Sequence, residues 1–287
     1  MPTAARPDHR STGPRPHTDS TLSKPVRRSG FAVYTLAISS LLKLRLMAIK
    51  IDLHCHSFFS GDGVSSPEQL IEAARAKGLN GFAITDHNTC DAVKYLTDRG
   101  LMRPDGLPVD NFLVIPGVEV TTAEGHLLCI GAVLPNLKGR PAIEVCRLIH
   151  EAGGVAIPPH AYDIFRAGIR ENILKTLPID ALEVFNAATT LKRYNRMAYE
   201  YALDHDLPMT AASDAHHYAA VGTAYTILET DNLSVPGVVA QVVRGNRLSQ
   251  KYLSVGGTIR KTWNNLMRLR KRKSVEEMLG KIRRGEP

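Results

Sequence analysis

The sequence predicts an α/β fold, a compact barrel of seven or eight strand and helix units over residues 47–245, between a disordered N-terminal extension (1–46) and a basic helical C-terminal tail (246–287). Three observations predict it. Short apolar runs rich in β-branched residues alternate with helical patterns from residue 51 onward, the rhythm of βα units with parallel strands. The 287 residues suffice for one such barrel. Nearly every apolar run ends in His, Asp, Glu or Asn, which suits parallel strands whose C-terminal ends share one mouth.

The leader "MPTAARPDHRSTGPRPHTDSTLSKPVRRSG" is rich in Pro, Ser, Thr and Arg and lacks periodic apolar positions, so it cannot offset the entropy of ordering. "FAVYTLAISSLL", which follows, is too short to span a bilayer and lies too far in for a usual signal peptide. Met47, in "MAIKIDLH", reads as the initiator, with everything before it arising from an upstream start.

Strands are expected at 50–54, 81–85, 112–119, 126–133, 154–158, 181–185, 208–212 and 223–228. "SPEQLIEAARAKG" carries a Ser N-cap, Pro in the first turn and a terminal Gly, and further helices are expected at 89–99, 141–152, 190–205 and 234–245. In the tail, Ile259, Trp263, Leu266 and Met267 form an apolar stripe, and Ser274 with Glu277 makes a capping box.

The formal charge of +8 divides unevenly: nine basic against two acidic residues in 1–50, 14 against 23 in 51–243, and 13 against three in 244–287. An acidic middle rich in histidine suits cations, and a basic tail suits anions, RNA among them, although an amphipathic helix packing Trp263 on the barrel would leave the same basic face. Cys55, Cys90, Cys129 and Cys146 have neither zinc-ribbon spacing nor the density of a disulfide scaffold. A reducing, cytoplasmic setting is the expectation. No apolar run approaches the roughly 20 residues of a membrane span.

In "IDLHCHSFFSGDG", His54 and His56 leave one face of a strand while Cys55 points the other way, and Asp62 follows between glycines. "AITDHN" ends a second run with Asp86 and His87, "IPGVEVTT" places Glu119, "EGHLLCIG" begins with His126, and "AIPPHA" brings His160. "EVFNA" offers Asn186, and "AASDAHH" sets Asp214 and His216 two apart. A single pair of histidines is weak evidence, but ligand types at one strand end after another converge on one mouth.

These segments, in this order and spacing, resemble the polymerase and histidinol phosphatase (PHP) family over residues 51 to about 228, and within it the stand-alone phosphoesterases. The resemblance implies a distorted (β/α)7 barrel holding two or three divalent ions, Mn2+, Zn2+, Mg2+ or Fe2+. It implies His54, His56, Glu119 and Asp214 on one ion, Glu119 bridging to a second with His160, and Asp62, His87 and His216 at a third position. His126 matches a histidine that meets either metal or substrate. Ala161 stands where proline is common, and Asp62 where some relatives have histidine, which tilts preference toward manganese or magnesium.

Such a cluster suits hydrolysis of a small phosphorylated substrate, with metal ions clamping the phosphoryl group and acidifying a water. Arg166 is the favoured phosphate-binding arginine, ahead of Arg170 and Arg193. Asp86 is read either as an orienter of His87 or as a general acid, and Ser57 and Asn186 either touch the phosphate or satisfy backbone groups. Loops 100–111 and 161–175 set substrate choice. Two alternatives stand beside this reading: an amidohydrolase-type hydrolase, which would want a bridging lysine where Glu119 stands, and a non-catalytic metal-stabilised module, which would be expected to lack some of these ligands.

Overall fold

The structure is a computed structural model that describes residues 48–252 together with 277, 279 and 280. The expectations for residues 1–46 and for the apolar stripe and capping box of the tail lie outside those residues. Among the described residues nine strands form two sheets: β1 (Ala48–Cys55), β2 (Gly81–Ile84), β3 (Leu113–Thr121), β4 (His126–Ile130), β5 (Val155–Ile157), β6 (Leu182–Asn186), β7 (Met209–Ala212), β8 (Tyr225–Glu229) and β9 (Arg247–Ser249). The larger runs β5-β4-β3-β2-β1-β8-β9, and the smaller is β6-β7. Helices α1 (Pro67–Ala76), α2 (Asp91–Asp98), α3 (Ala142–Glu151), α4 (Glu171–Leu174), α5 (Lys192–Asp204) and α6 (Val235–Val242) connect them.

The expectation of parallel strands throughout is corrected. β1, β2 and β3 are parallel to one another and β6 to β7, but β4 is antiparallel to both β3 and β5, and β8 to both β1 and β9. A gap of only four residues separates Thr121 from His126, too short for the crossover that a parallel pair needs, so the chain turns back in a hairpin. Arg247–Ser249 pairs with β8, so the tail read as helical from 246 begins as a strand.

The two sheets are tied at both ends by loop hydrogen bonds. Asp180 N donates to Ala156 O and Glu183 N to Pro158 O on the β5 side. On the β1 side His56 N donates to Ala215 O at 2.8 Å, and Cys55 bridges Ala215 in parallel. The N-terminal half of β1 pairs with β8 while its C-terminal end meets the segment after β7. The sheet is therefore curled, with its open edge closed by loops.

Period-2 alternation decides what faces the core. Ile49, Ile51 and Leu53 of β1 pack with Ile115, Leu128, Ile157 and Val238, while Cys55 packs with Leu70, Phe82 and Ile84 under α1 and α2. The switch follows a register shift between Asp52 and Cys55, one extra residue on β1 against β2, as a β-bulge produces. Helix α1 starts as its sequence dictates: Ser66 accepts from Gln69 N, the Gln69 side chain returns to Ser66 N, and Pro67 occupies the first turn. Along α5, Tyr194, Ala198, Tyr201 and Ala202 recur at helical spacing and bury against Leu182 and Val184 of β6. Among the described residues no helix is long and apolar enough to cross a membrane.

Candidate metal centre

Glu119, near the end of β3, is 1 % exposed and ringed by imidazoles. Its Oε2 lies 3.0 Å from His54 Nε2, 3.1 Å from His56 Nε2 and 3.4 Å from His87 Nδ1. Its Oε1 lies 2.7 Å from His126 Nδ1 and 3.1 Å from His160 Nε2. The backbone fixes the carboxylate in place: Glu119 N donates to Asp86 O, and Asn88 N to Glu119 O. His126 opens β4 rather than closing it, and the antiparallel turn is what carries the start of that strand to the mouth where β3 ends.

Two further acids extend the cluster. Asp214 Oδ1 is 3.7 Å from His54 Nε2, 3.5 Å from His56 Nε2 and 3.3 Å from His216 Nδ1. Asp62 Oδ2 is 2.9 Å from His216 Nε2 and 3.3 Å from His87 Nε2, and Ser60 Oγ donates to its other oxygen. The structure thus brings together all nine residues expected as ligands. They form overlapping groups: His54, His56 and Glu119; His54, His160 and Asp214; His87, Glu119 and His126; His56, Asp62, His87 and His216.

The donor set fits a divalent ion. His56 Nε2, His87 Nδ1, His126 Nδ1 and Asp214 Oδ1 are buried with no hydrogen-bond partner, and they are members of these groups. Buried polar atoms without partners are rare in folded proteins unless a ligand completes them. Nitrogen and carboxylate oxygen without thiolate suit manganese, iron, zinc or magnesium.

Protons occupy part of the site in the metal-free protein. Burial disfavours a charged ring at His54, but the carboxylates of Asp214, Glu119 and Glu183 outweigh it and hold His54 well above its ordinary range. Burial opposes charge at His56 too, and the close carboxylates of Asp214 and Glu119 carry it up to about 9. Burial acts against ionisation of Glu119 and Asp214, yet their facing partners, His87 and His54 for the first and the Arg166 guanidinium for the second, keep both well below the carboxylate range. Burial leaves His160 and His216 lowered, ready to ligate as neutral rings.

Asp86, Ser57, Asn186 and Cys90 direct their polar atoms to partners within the fold. Asp86 accepts from Ser57 N at 2.6 Å and from Ser57 Oγ at 2.7 Å, so it fixes the turn after His56 instead of orienting His87 or facing a leaving group. Ser57 is fully buried in that contact. Asn186 is also buried, its amide donating to Glu183 and Asp214 and its carbonyl accepting from Ala188 N, so it aligns two carboxylates of the cluster and satisfies a backbone group. Cys90 gives its thiol to backbone carbonyls and is raised by burial. Arg166 does reach the cluster, pairing with Asp214 and donating to Ala188 O, whereas Arg193 lies over the Tyr194 ring and Arg170 is exposed ahead of α4.

Two residues escaped the sequence reading. Glu183 Oε1 meets His54 Nδ1 at 3.1 Å, and its Oε2 accepts from His160 N and Asn186 Nδ2, so one carboxylate aims two ligands. Asp52 accepts from Ser213 N, Ser213 Oγ and Gly222 N, pinning the loop that carries Asp214 and His216. The signal was present in both cases: a carboxylate inside an apolar strand ("KIDLH", "ALEVF") must find partners.

Comparison with known proteins agrees with this geometry. The PHP domain family matches residues 52–201, and the PHP-associated family residues 192–246. An uncharacterised protein of Methanocaldococcus jannaschii is 33 % identical over 150 residues, covering 48 % of this chain and 82 % of the relative. The 5'-3' exoribonuclease of Haemophilus influenzae is 38 % identical over 133 residues, 41 % of this chain and 44 % of that enzyme. Among solved structures, a two-domain protein of Bacteroides vulgatus containing a predicted PHP-like metal-dependent phosphoesterase superposes with a TM-score of 0.55 at 18 % identity, over 71 % of this chain and 65 % of the other. At that identity the likeness is one of fold.

Two outcomes follow from the cluster. His56 titrates near 9 in the folded metal-free protein against an ordinary 6.5, so its contribution is complete below about 6.5 and is lost as pH rises toward 9. The melting temperature of chelator-treated protein should fall over that window, while manganese-loaded protein should hold steady; parallel melts at stepped pH check this. Replacing Glu183 by Ala should weaken manganese binding about 10- to 100-fold with the circular dichroism spectrum unchanged, as measured by calorimetric titration.

Proposed function

The chain belongs to the PHP domain family, and on that premise we propose that it is a metal-dependent phosphoesterase that hydrolyses a nucleotide or a related small phosphate ester with water. The observation that carries the proposal is the pairing of an imidazole and carboxylate cluster with a half-buried guanidinium at its edge. Arg166 Nη2 engages Asp214, and its Nε is buried with no partner, which leaves one directed donor for an anionic oxygen.

His54, His56, Glu119 and Asp214 would hold one ion, Glu119 would reach a second with His160 and His126, and Asp62, His87 and His216 would serve a third position. Bound there, divalent ions supply charge stabilisation at phosphorus and lower the pKa of a coordinated water. The chain's own part is positional. Glu183 and Asn186 keep the ligand geometry fixed, and Asp86 with Ser57 and Asp52 with Ser213 fix the two loops that close on the cluster. Arg166 donates to the phosphoryl oxygens, where negative charge is held through the in-line displacement.

The presence of all nine ligand residues favours an enzyme over a metal-stabilised module, and Glu119 at the bridging position favours phosphoester over amide chemistry. The name of the Haemophilus influenzae relative supports including short RNAs among the substrates, with the basic residues after 244 as their contact. A cytoplasmic setting belongs to the same reading, the four cysteines being free.

Manganese-loaded protein should release phosphate or nucleotide from at least one of a panel of nucleoside monophosphates, 3',5'-bisphosphates, histidinol phosphate and short RNAs. Silence toward all of them with metal bound would refute the proposal. With the active ester, Arg166→Ala should lower kcat/KM by about 100-fold, measured by initial rates at saturating manganese.

A further inference from the structure

The loop between β5 and α4, which carries Arg166 to Asp214 of the candidate metal cluster, also presents an exposed aromatic ring. Ile164, Phe165 and Arg166 form one 3-10 turn. Arg166 turns inward to Asp214, whereas Phe165 turns outward and is 68 % exposed, more than any other large apolar side chain described as exposed. Successive residues of such a turn diverge by about 120°, and their Cα atoms are about 3.8 Å apart. The ring and the guanidinium therefore leave neighbouring backbone positions in different directions, one toward solvent and one toward Asp214.

The turn is rigid although its apolar side chain packs on little. Asp163 is fully buried and accepts from Phe165 N at 3.1 Å, from Thr190 N at 2.7 Å and from Thr189 Oγ1 at 3.2 Å. Its carbonyl accepts from Arg166 N and Gly168 N, and Ala167 O takes the backbone N–H of His126, itself part of the cluster. Gly168 has no room for a side chain, since a Cβ there would lie 2.3 Å from His160 O. An apolar ring held out to solvent on so constrained a backbone contributes little to stability. Its placement cuts the entropy cost of meeting a ligand.

The neighbouring guanidinium says which ligand. The buried, unpartnered Nε of Arg166 requires an acceptor, and a phosphate oxygen in the cluster supplies one. An anion anchor and an exposed π-face thus sit on adjacent residues, as the phosphate and the base of one nucleotide would require. We propose that Phe165 is a specificity-determining residue, the stacking platform for the base of a nucleotide substrate. This deepens the phosphoesterase reading and rests on it for the position of the phosphate. Stacking offers a π-face to every base alike, so the four nucleoside monophosphates should be accepted with little preference among them.

The test compares adenosine 5'-monophosphate with glycerol 3-phosphate, an aliphatic ester, on wild-type, Phe165→Ala and Phe165→Trp proteins, by steady-state kinetics and by calorimetric binding. Phe165→Ala should raise KM and Kd for the nucleotide about tenfold, leave kcat intact, and change glycerol 3-phosphate by less than about twofold. Phe165→Trp should restore nucleotide affinity, and its indole emission should be quenched by the nucleotide alone. Equal effects on both esters, or nucleotide binding indifferent to the ring, would overturn the proposal while any hydrolysis of glycerol phosphate left the phosphoesterase reading standing. Ring-dependent nucleotide binding with no hydrolysis of any ester would uphold Phe165 and defeat the phosphoesterase reading instead.

Discussion

A carboxylate taken out of water must be compensated, and Glu119 is the carboxylate around which this molecule is arranged. Left alone at its depth it would be neutral or would unfold its surroundings. Five imidazoles surround it, arriving from the end of β1, the loop after β2, the start of β4 and the loop after β5. Each of those elements is placed so that one side chain reaches Glu119. A regular parallel ladder would direct His126 to the opposite mouth, and the reversal of β4 brings it to the mouth where β3 ends.

Holding ligands this densely distorts the backbone. His160 and Asp214 adopt φ of 34° and 51°, in the left-handed region that disfavours residues with a Cβ. Conformations of this kind cost on the order of 1–3 kcal/mol each and persist only where neighbours over-determine them. Here the neighbours are identifiable. The backbone N–H of His160 is taken by Glu183, and Asp214 lies between Ser213, clamped by Asp52, and Ala215, clamped by His54 and His56. Strain and ligation therefore fall on the same residues, and buried acids in the strand interiors hold them there.

The ligands were legible in the sequence because they punctuate apolar runs: a His or Asp that ends a strand has nowhere to go but the rim. The strand and helix positions followed from period and capping, down to the box formed by Ser66 and Gln69. What the sequence concealed was direction. The four residues between Thr121 and His126 already forbade a parallel crossover, yet a regular alternation of strands and helices elsewhere masked that local constraint. Side-chain aim was hidden as well. Asp86, Ser57 and Asn186 have the chemistry of substrate contacts, and only packing reveals that their polar atoms are spent on one another and on the backbone. Glu183 and Asp52 were overlooked for the converse reason, being read as strand residues when their burial made them organisers of the site.

The junction where Ala215 meets the end of β1 has a consequence for how the protein acquires metal. His54 and Asp214 lie at opposite ends of the domain's sequence, and they meet only when the segment after β7 closes onto β1. Contacts of such long separation form late in folding, after the intervening loops have been ordered. A chain still emerging during synthesis holds His54, His56 and Glu119 but not the acid that completes them. An ion that used this whole set would therefore add its binding energy to the native state and not to partly folded forms.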